Sequence, residues 1–205
     1  MFESFARQFT ATSQGPTQSF ETAETQPVLQ RLFDTYGGTT FNEGLYRIHD
    51  DVSSGEASQN AAFVYPALKF PWVCFGYDWL GRQFALDFHR GTADNPEVVM
   101  LEPGTGEILE VPATFEDFHD YALLEYQDAC LAPEFFGEWQ AHGGDTPRLD
   151  QCIGYKTPLF LGGLDEVSNL ELSNLDVYWS ITGQLITATR NLPSGTPISG
   201  LGLTN

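Results

Sequence analysis

Four histidines, three cysteines and 28 acidic residues hold whatever reactive chemistry this 205-residue chain carries. His49-Asp50-Asp51 and Asp87-Phe88-His89 each set a histidine beside carboxylates. A hydrolytic metal site needs several such donors converging on one point, and His49, Asp51 and His89 are the set from which one would be assembled. Neither cluster has a spacing with a mechanism behind it, and both read as exposed polar residues at strand and loop ends. Cys74 lies between Val73 and Phe75 in a strand pattern, with no base nearby to make a thiolate. Gly104-Thr105-Gly106 follows a proline between two strand-like runs, so it reads as a hairpin turn; a phosphate loop would precede a helix and add a basic residue. Gly162-Gly163 has no basic residue between Lys156 and Arg190 to support an anion. Asp78 and Asp87 form a possible carboxylate pair, but so acidic a chain produces such pairs by chance. The expectation is therefore no metal, no cofactor and no enzymatic activity. A small metal-dependent hydrolase built on His49, Asp51 and His89 is the alternative.

The elements that position these residues need a core, and 41% hydrophobic and 14% aromatic content supplies one. With 28 Asp and Glu against 9 Lys and Arg, the formal net charge is −19. Such a field repels nucleic acid and anionic membrane and speeds encounter with a basic protein. Solubility alone accounts for it equally well, which keeps an acidic adaptor protein among the alternatives. Cys74, Cys130 and Cys152, odd in number and widely spaced, suit neither a disulfide framework nor a metal knuckle and read as reduced, buried thiols. The start MFESFARQFT lacks the pattern of a signal peptide, and no run approaches the roughly 18 apolar residues of a membrane span. A cytoplasmic protein is expected.

Along the chain, residues 1–26 read as a short apolar segment (Phe2, Phe5, Phe9) followed by a polar loop over 10–26, and residues 27–205 as a single α+β body. Residues 27–36 carry apolar positions at helical spacing behind a proline and before Gly37-Gly38. Four strands, VCFGYD, QFALDF, EVVMLE and EILEVP, are separated by short turns and must pair antiparallel. Helices are expected over 114–130 and from Pro133 to about His142. Residues 175–191 fit either helix or strand. The fold class is α+β, an antiparallel β-sheet meander packed by helices.

A constant 100° per residue from Thr114 places Phe115, Phe118, Ala122, Tyr126 and Ala129 on one core stripe. Opposite lie Glu116, Asp117, Asp120 and Asp128 around Leu124, an apolar anchor ringed by carboxylates. A solvated face with one exposed leucine, or one that a neighbouring helix covers, is the plainer account.

The segment FGYDWLGRQFALD (75–87) resembles a recurrent pattern of the immunity-protein family that guards against type VI secretion DNase effectors. LEPGTGEILEVP (101–112), GYKTPLFLGG (154–163) and VYWSITGQLI (177–186) continue the likeness in the family's order. Residues 27–70 are similar to the GAD-like region that precedes the family's Tdi-type C-terminal domain, which would occupy 71–205. The first block also resembles the broader SUKH immunity superfamily. The resemblance implies a SUKH-like fold, a helix over 175–191, and a non-enzymatic inhibitor whose partner is a cognate basic nuclease toxin. Trp79 and Phe84 are then core residues, Gly76 and Gly81 permit a tight strand connection, and Asp78 or Asp87 fixes turns. The acidic face with Leu124 becomes the candidate toxin-binding surface.

Overall fold

The computed structural model describes residues 2–15, 27–65 and 72–193. Seven strands form one antiparallel meander in chain order: β1 (Ala11–Gln14), β2 (Thr39–Phe41), β3 (Tyr46–Ile48), β4 (Val73–Asp78), β5 (Gln83–Gly91), β6 (Pro96–Glu102) and β7 (Glu107–Thr114). β8 (Gln151–Tyr155) and β9 (Leu170–Asn174) make a separate pair. The four strands read from sequence are β4 to β7, and their turns are those marked by Trp79-Leu80-Gly81, Asp94-Asn95-Pro96 and Pro103 to Gly106. Residues 11–14, expected to belong to a polar loop, are instead the edge strand β1. Residues 16–26 of that expected loop lie outside the described residues.

Helices cover both faces of the sheet, so β4 is buried along nearly its whole length and lacks the alternation of a one-sided strand. On one face pack α1 (Glu3–Gln8), α2 (Pro27–Tyr36) and the helical run over 115–141, around Phe5, Tyr46, Phe75, Phe84 and Phe118. On the other pack α3 (Asp51–Val64) and α8 (Leu175–Thr189), around Cys74, Tyr77, Val99 and Trp179. Cys74, Cys130 and Cys152 are all buried free thiols.

Helix α3 was not anticipated, because its buried positions are the small residues Ser54, Ala57 and Ala61 and its amphipathic signal is weak. Their size lets α3 lie directly on β4: Ser54 Oγ donates to Cys74 O at 2.6 Å, and Ser58 Oγ accepts from Cys74 N at 3.0 Å. Its start is a reciprocal cap between Asp50 and Ser53. The ambiguous segment 175–191 is helical over α8, with Asn174 Oδ1 accepting from Val177 N at 3.1 Å. Thr182 and Thr189 fit that helix by donating to the carbonyls of Tyr178 and Leu185.

The β4–β5 connection is a hub. Asp78 Oδ1 accepts from Leu80 N and Arg82 N, and Asp78 Oδ2 meets the Arg82 guanidinium at 2.6 Å. Arg82 and Trp79 in turn donate to Cys130 O and Leu131 O at the end of α6 (Gln127–Leu131), where the free carbonyls of a helix favour a cation. Gly81 has φ +78, and a Cβ there would press on Cys152.

Candidate functional site

The helical run that begins at Phe115 departs from a regular helix. Phe115–Asp117 (α4) leads into a π-helical turn over Phe118–Ala122, then α5 (Leu123–Glu125), α6 and α7 (Pro133–Ala141). The extra residue of the π turn advances the buried stripe, so Phe118, His119, Ala122 and Leu123 face the core together. At Tyr126 the backbone leaves the helix altogether, at φ −119 and ψ 35.

This shift corrects the expected face. Tyr126 and Ala129, expected in the core, are exposed. Leu124, expected to stand outward as an anchor, is half-buried against the core. Asp120 faces the N-terminal helix: Oδ2 accepts from Phe2 N at 2.6 Å, and Oδ1 from Ser4 N at 3.0 Å and Phe5 N at 3.1 Å, so it caps α1. Glu116, Asp117 and Asp128 are exposed as expected. Glu116 also exchanges two hydrogen bonds with the Asn95 side chain, and Thr114 Oγ1 donates to Asp117 Oδ2 at 3.1 Å.

What the surface presents in place of a leucine is a pair of tyrosines. Tyr121 and Tyr126 are 50% and 47% exposed, meet edge to face at 5.8 Å between ring centroids, and bring their hydroxyls to 3.4 Å. A large, stiff aromatic pair loses little freedom on binding, which is why tyrosine recurs at interface centres. The stretch of chain that carries it is acidic, since residues 91–147 contain 13 Asp and Glu and no Lys or Arg. A constant angular step places Tyr126 on the core stripe, and the π turn together with the backbone break at Tyr126 takes it off.

The candidate metal ligands are not brought together. His49 is buried rather than exposed: its ring stacks on Tyr77 at 4.6 Å, Nε2 lies 2.8 Å from Gln83 Oε1, and burial pushes its pKa down to about 4. His89 is exposed at the end of β5, and Asp50 is spent on the α3 cap. Among the described residues no group of three or more His, Cys, Asp or Glu is placed to hold a metal ion. Also among them, no helix is long and apolar enough to cross a membrane.

The family model described as "T6SS immunity protein Tdi1, C-terminal" matches residues 121–186, from the exposed tyrosines to the last turns of α8. The GAD-like assignment of residues 27–70 lies outside that match. No curated protein matches the chain in sequence. Among solved structures, "Crystal structure of Atu4351 from Agrobacterium tumefaciens" superposes with a TM-score of 0.57 at 12% identity, over 90% of this chain and 89% of that one. At that identity the likeness is one of fold. Residues 121–186 are thus similar to the C-terminal region of the type VI secretion immunity protein Tdi1, carried on an α+β fold whose likeness to a solved structure spans nearly the whole chain.

Proposed function

We propose that this chain is an immunity protein that binds a cognate type VI secretion DNase toxin and neutralises it by protein-protein contact. The observation that carries this reading is the match of residues 121–186 to the Tdi1 family. The net charge of −19 supports a basic partner, and a cytoplasmic site of action follows, since that is where a DNase would meet the cell's DNA. The contact surface is the tyrosine pair with Glu116, Asp117 and Asp128 around it, while Asp120 and Leu124 hold the helical run in place.

Co-expression with the toxin encoded beside it, followed by a nuclease assay on the purified complex, tests the function. A stable complex with silenced nuclease is the expected result; an active nuclease in the presence of excess chain would refute it. Tyr121→Ala with Tyr126→Ala is expected to weaken the complex by about 2 kcal/mol or more, roughly 30-fold, chiefly through faster dissociation. The melting temperature of the chain should not move, because both rings are half in solvent. Leu124→Asp should instead lower that temperature. Association of the wild-type pair should slow as salt is raised, with dissociation little changed.

A further inference from the structure

We propose that α1 is a clasp that sets the phase of the helical run over 115–131, so that Tyr121 and Tyr126 stand together at the surface only while Asp120 holds the start of α1. The conformational part of this inference does not depend on the toxin reading; its consequence for binding rests on it.

The clasp is a balance of contacts against strain. Asp120 accepts backbone N–H bonds from Phe2, Ser4 and Phe5, which lie 115 to 118 residues away in the chain. Bonds to an ionised acceptor are roughly twice as strong as neutral ones. Phe2, at the N-cap of α1, makes no side-chain cap bond of its own and sits at φ +69, a left-handed conformation that is strained for a residue with a Cβ. Such a conformation persists only where its surroundings impose it. Here the surroundings are Asp120 and His119, whose ring meets those of Phe2 and Phe5 at 5.2 Å between centroids. α1 is therefore held at its start by two consecutive residues of one turn.

That turn is the π turn. Leu123 N donates to Phe118 O, five residues back, and Asp120 lies between them. In a regular helix Asp120 would stand outward beside Leu124, and Tyr126 would lie on the core stripe. With α1 docked, Asp120 is drawn against Phe2 to Phe5, Leu124 packs on the core, and the break at Tyr126 brings that ring out to meet Tyr121. With α1 released, the carboxylate loses three donors and is better hydrated facing outward, where the regular phase puts it. The two arrangements therefore differ in which side chains reach the surface, and Asp120 is the positioning residue that selects between them. Coupling of this kind is reciprocal, so whatever favours the paired tyrosines also tightens α1.

The test is NMR of the full chain, with the contact between the Tyr121 and Tyr126 rings read as a nuclear Overhauser effect and the docking of α1 as hydrogen exchange at the Ser4 amide. Asp120→Asn keeps the oxygen that accepts from Ser4 and Phe5 but loses the charge and the bond from Phe2. Exchange about tenfold faster and a weakened ring contact are expected for it. Asp120→Ala should abolish the ring contact. Val99→Ala, in the core on the opposite face of the sheet, removes stability without touching α1 and should leave both signals in place. On the toxin reading, Asp120→Asn should also dissociate faster from the toxin; a weakened ring contact with unchanged dissociation upholds the clasp and counts against the tyrosine pair as the contact surface. An intact ring contact in Asp120→Ala, or its equal loss in Val99→Ala, would overturn the proposal, and an intact contact with faster exchange in Asp120→Asn does so should the alanine variant not fold.

Discussion

Asp78→Ala is expected to destabilise the chain by about 3–5 kcal/mol, read as a shift in the urea midpoint without a change in slope. The side chain of Asp78 is fully buried, and every contact it makes is with an N–H donor: Leu80 N, Arg82 N and the Arg82 guanidinium. Burial pushes its carboxyl up and Arg82 draws it back, and four donors are satisfied only by an ionised acceptor. Removing it leaves a buried guanidinium whose remaining carboxylate neighbour is Glu102, 3.6 Å from Arg82 Nε. Two backbone N–H groups lose their acceptor in the same step. The double variant Asp78→Asn with Arg82→Met removes the stranded charge and should recover about half of the loss. A single-variant cost below about 1 kcal/mol would show that the hub is not what joins the β4–β5 turn to α6.

That hub explains why the block over residues 75–87 stood out in the sequence. Its residues fix a turn, fill the core and bind the end of a helix. The four strands around it were readable because each turn announces itself through Gly, Pro or Asn, and the helix at 27–36 because its apolar period is intact. The three-residue strands β2 and β3 are too short to show alternation. α3 hides its inward face in serine and alanine, although Asp50 three residues before Ser53 was a usable start signal. The helical face over 115–129 was legible only in part. Its carboxylates were legible as residue types, whereas which large side chains stand outward depends on phase, and the π turn with the backbone break at Tyr126 leaves Leu124 half-buried and Tyr121 and Tyr126 exposed. A constant angular step cannot register an inserted residue.

Acid should unfold this protein through its buried histidines, and His119→Gln is expected to flatten that response. His119 sits among Phe2, Phe5, Phe75, Phe115 and Phe118, with Nε2 3.0 Å from Tyr46 Oη and Nδ1 buried without a partner. Burial pushes its pKa down to about 3, against a weaker opposing pull from Asp120, and burial likewise lowers His49 to about 4. The unfolded chain takes up these protons near pH 6.5 while the folded chain refuses them. Their stabilisation is therefore complete above about pH 6.5 and is lost as pH falls toward the folded values, at up to about 1.4 kcal/mol per pH unit for each ring. Glu102 acts in the other direction. Burial raises its carboxyl to about 7, so its contribution is present below the ordinary carboxylate range and fades as pH rises toward 7. Between pH 4.5 and 6.5 Glu102, with the Asp78 carboxyl raised by burial in the same sense, offsets part of the histidine contribution. His119→Gln keeps a hydrogen-bonding group for Tyr46 and should reduce the acid loss by up to about 1.4 kcal/mol per pH unit in denaturant midpoints measured across the range. The first element released should be α1, since Phe2 and Phe5 form part of the cage and the adjacent Asp120 caps the helix. Hydrogen exchange that rises first over residues 3–8 as pH falls is the expected signature. An unchanged slope in the variant would place the acid sensitivity elsewhere.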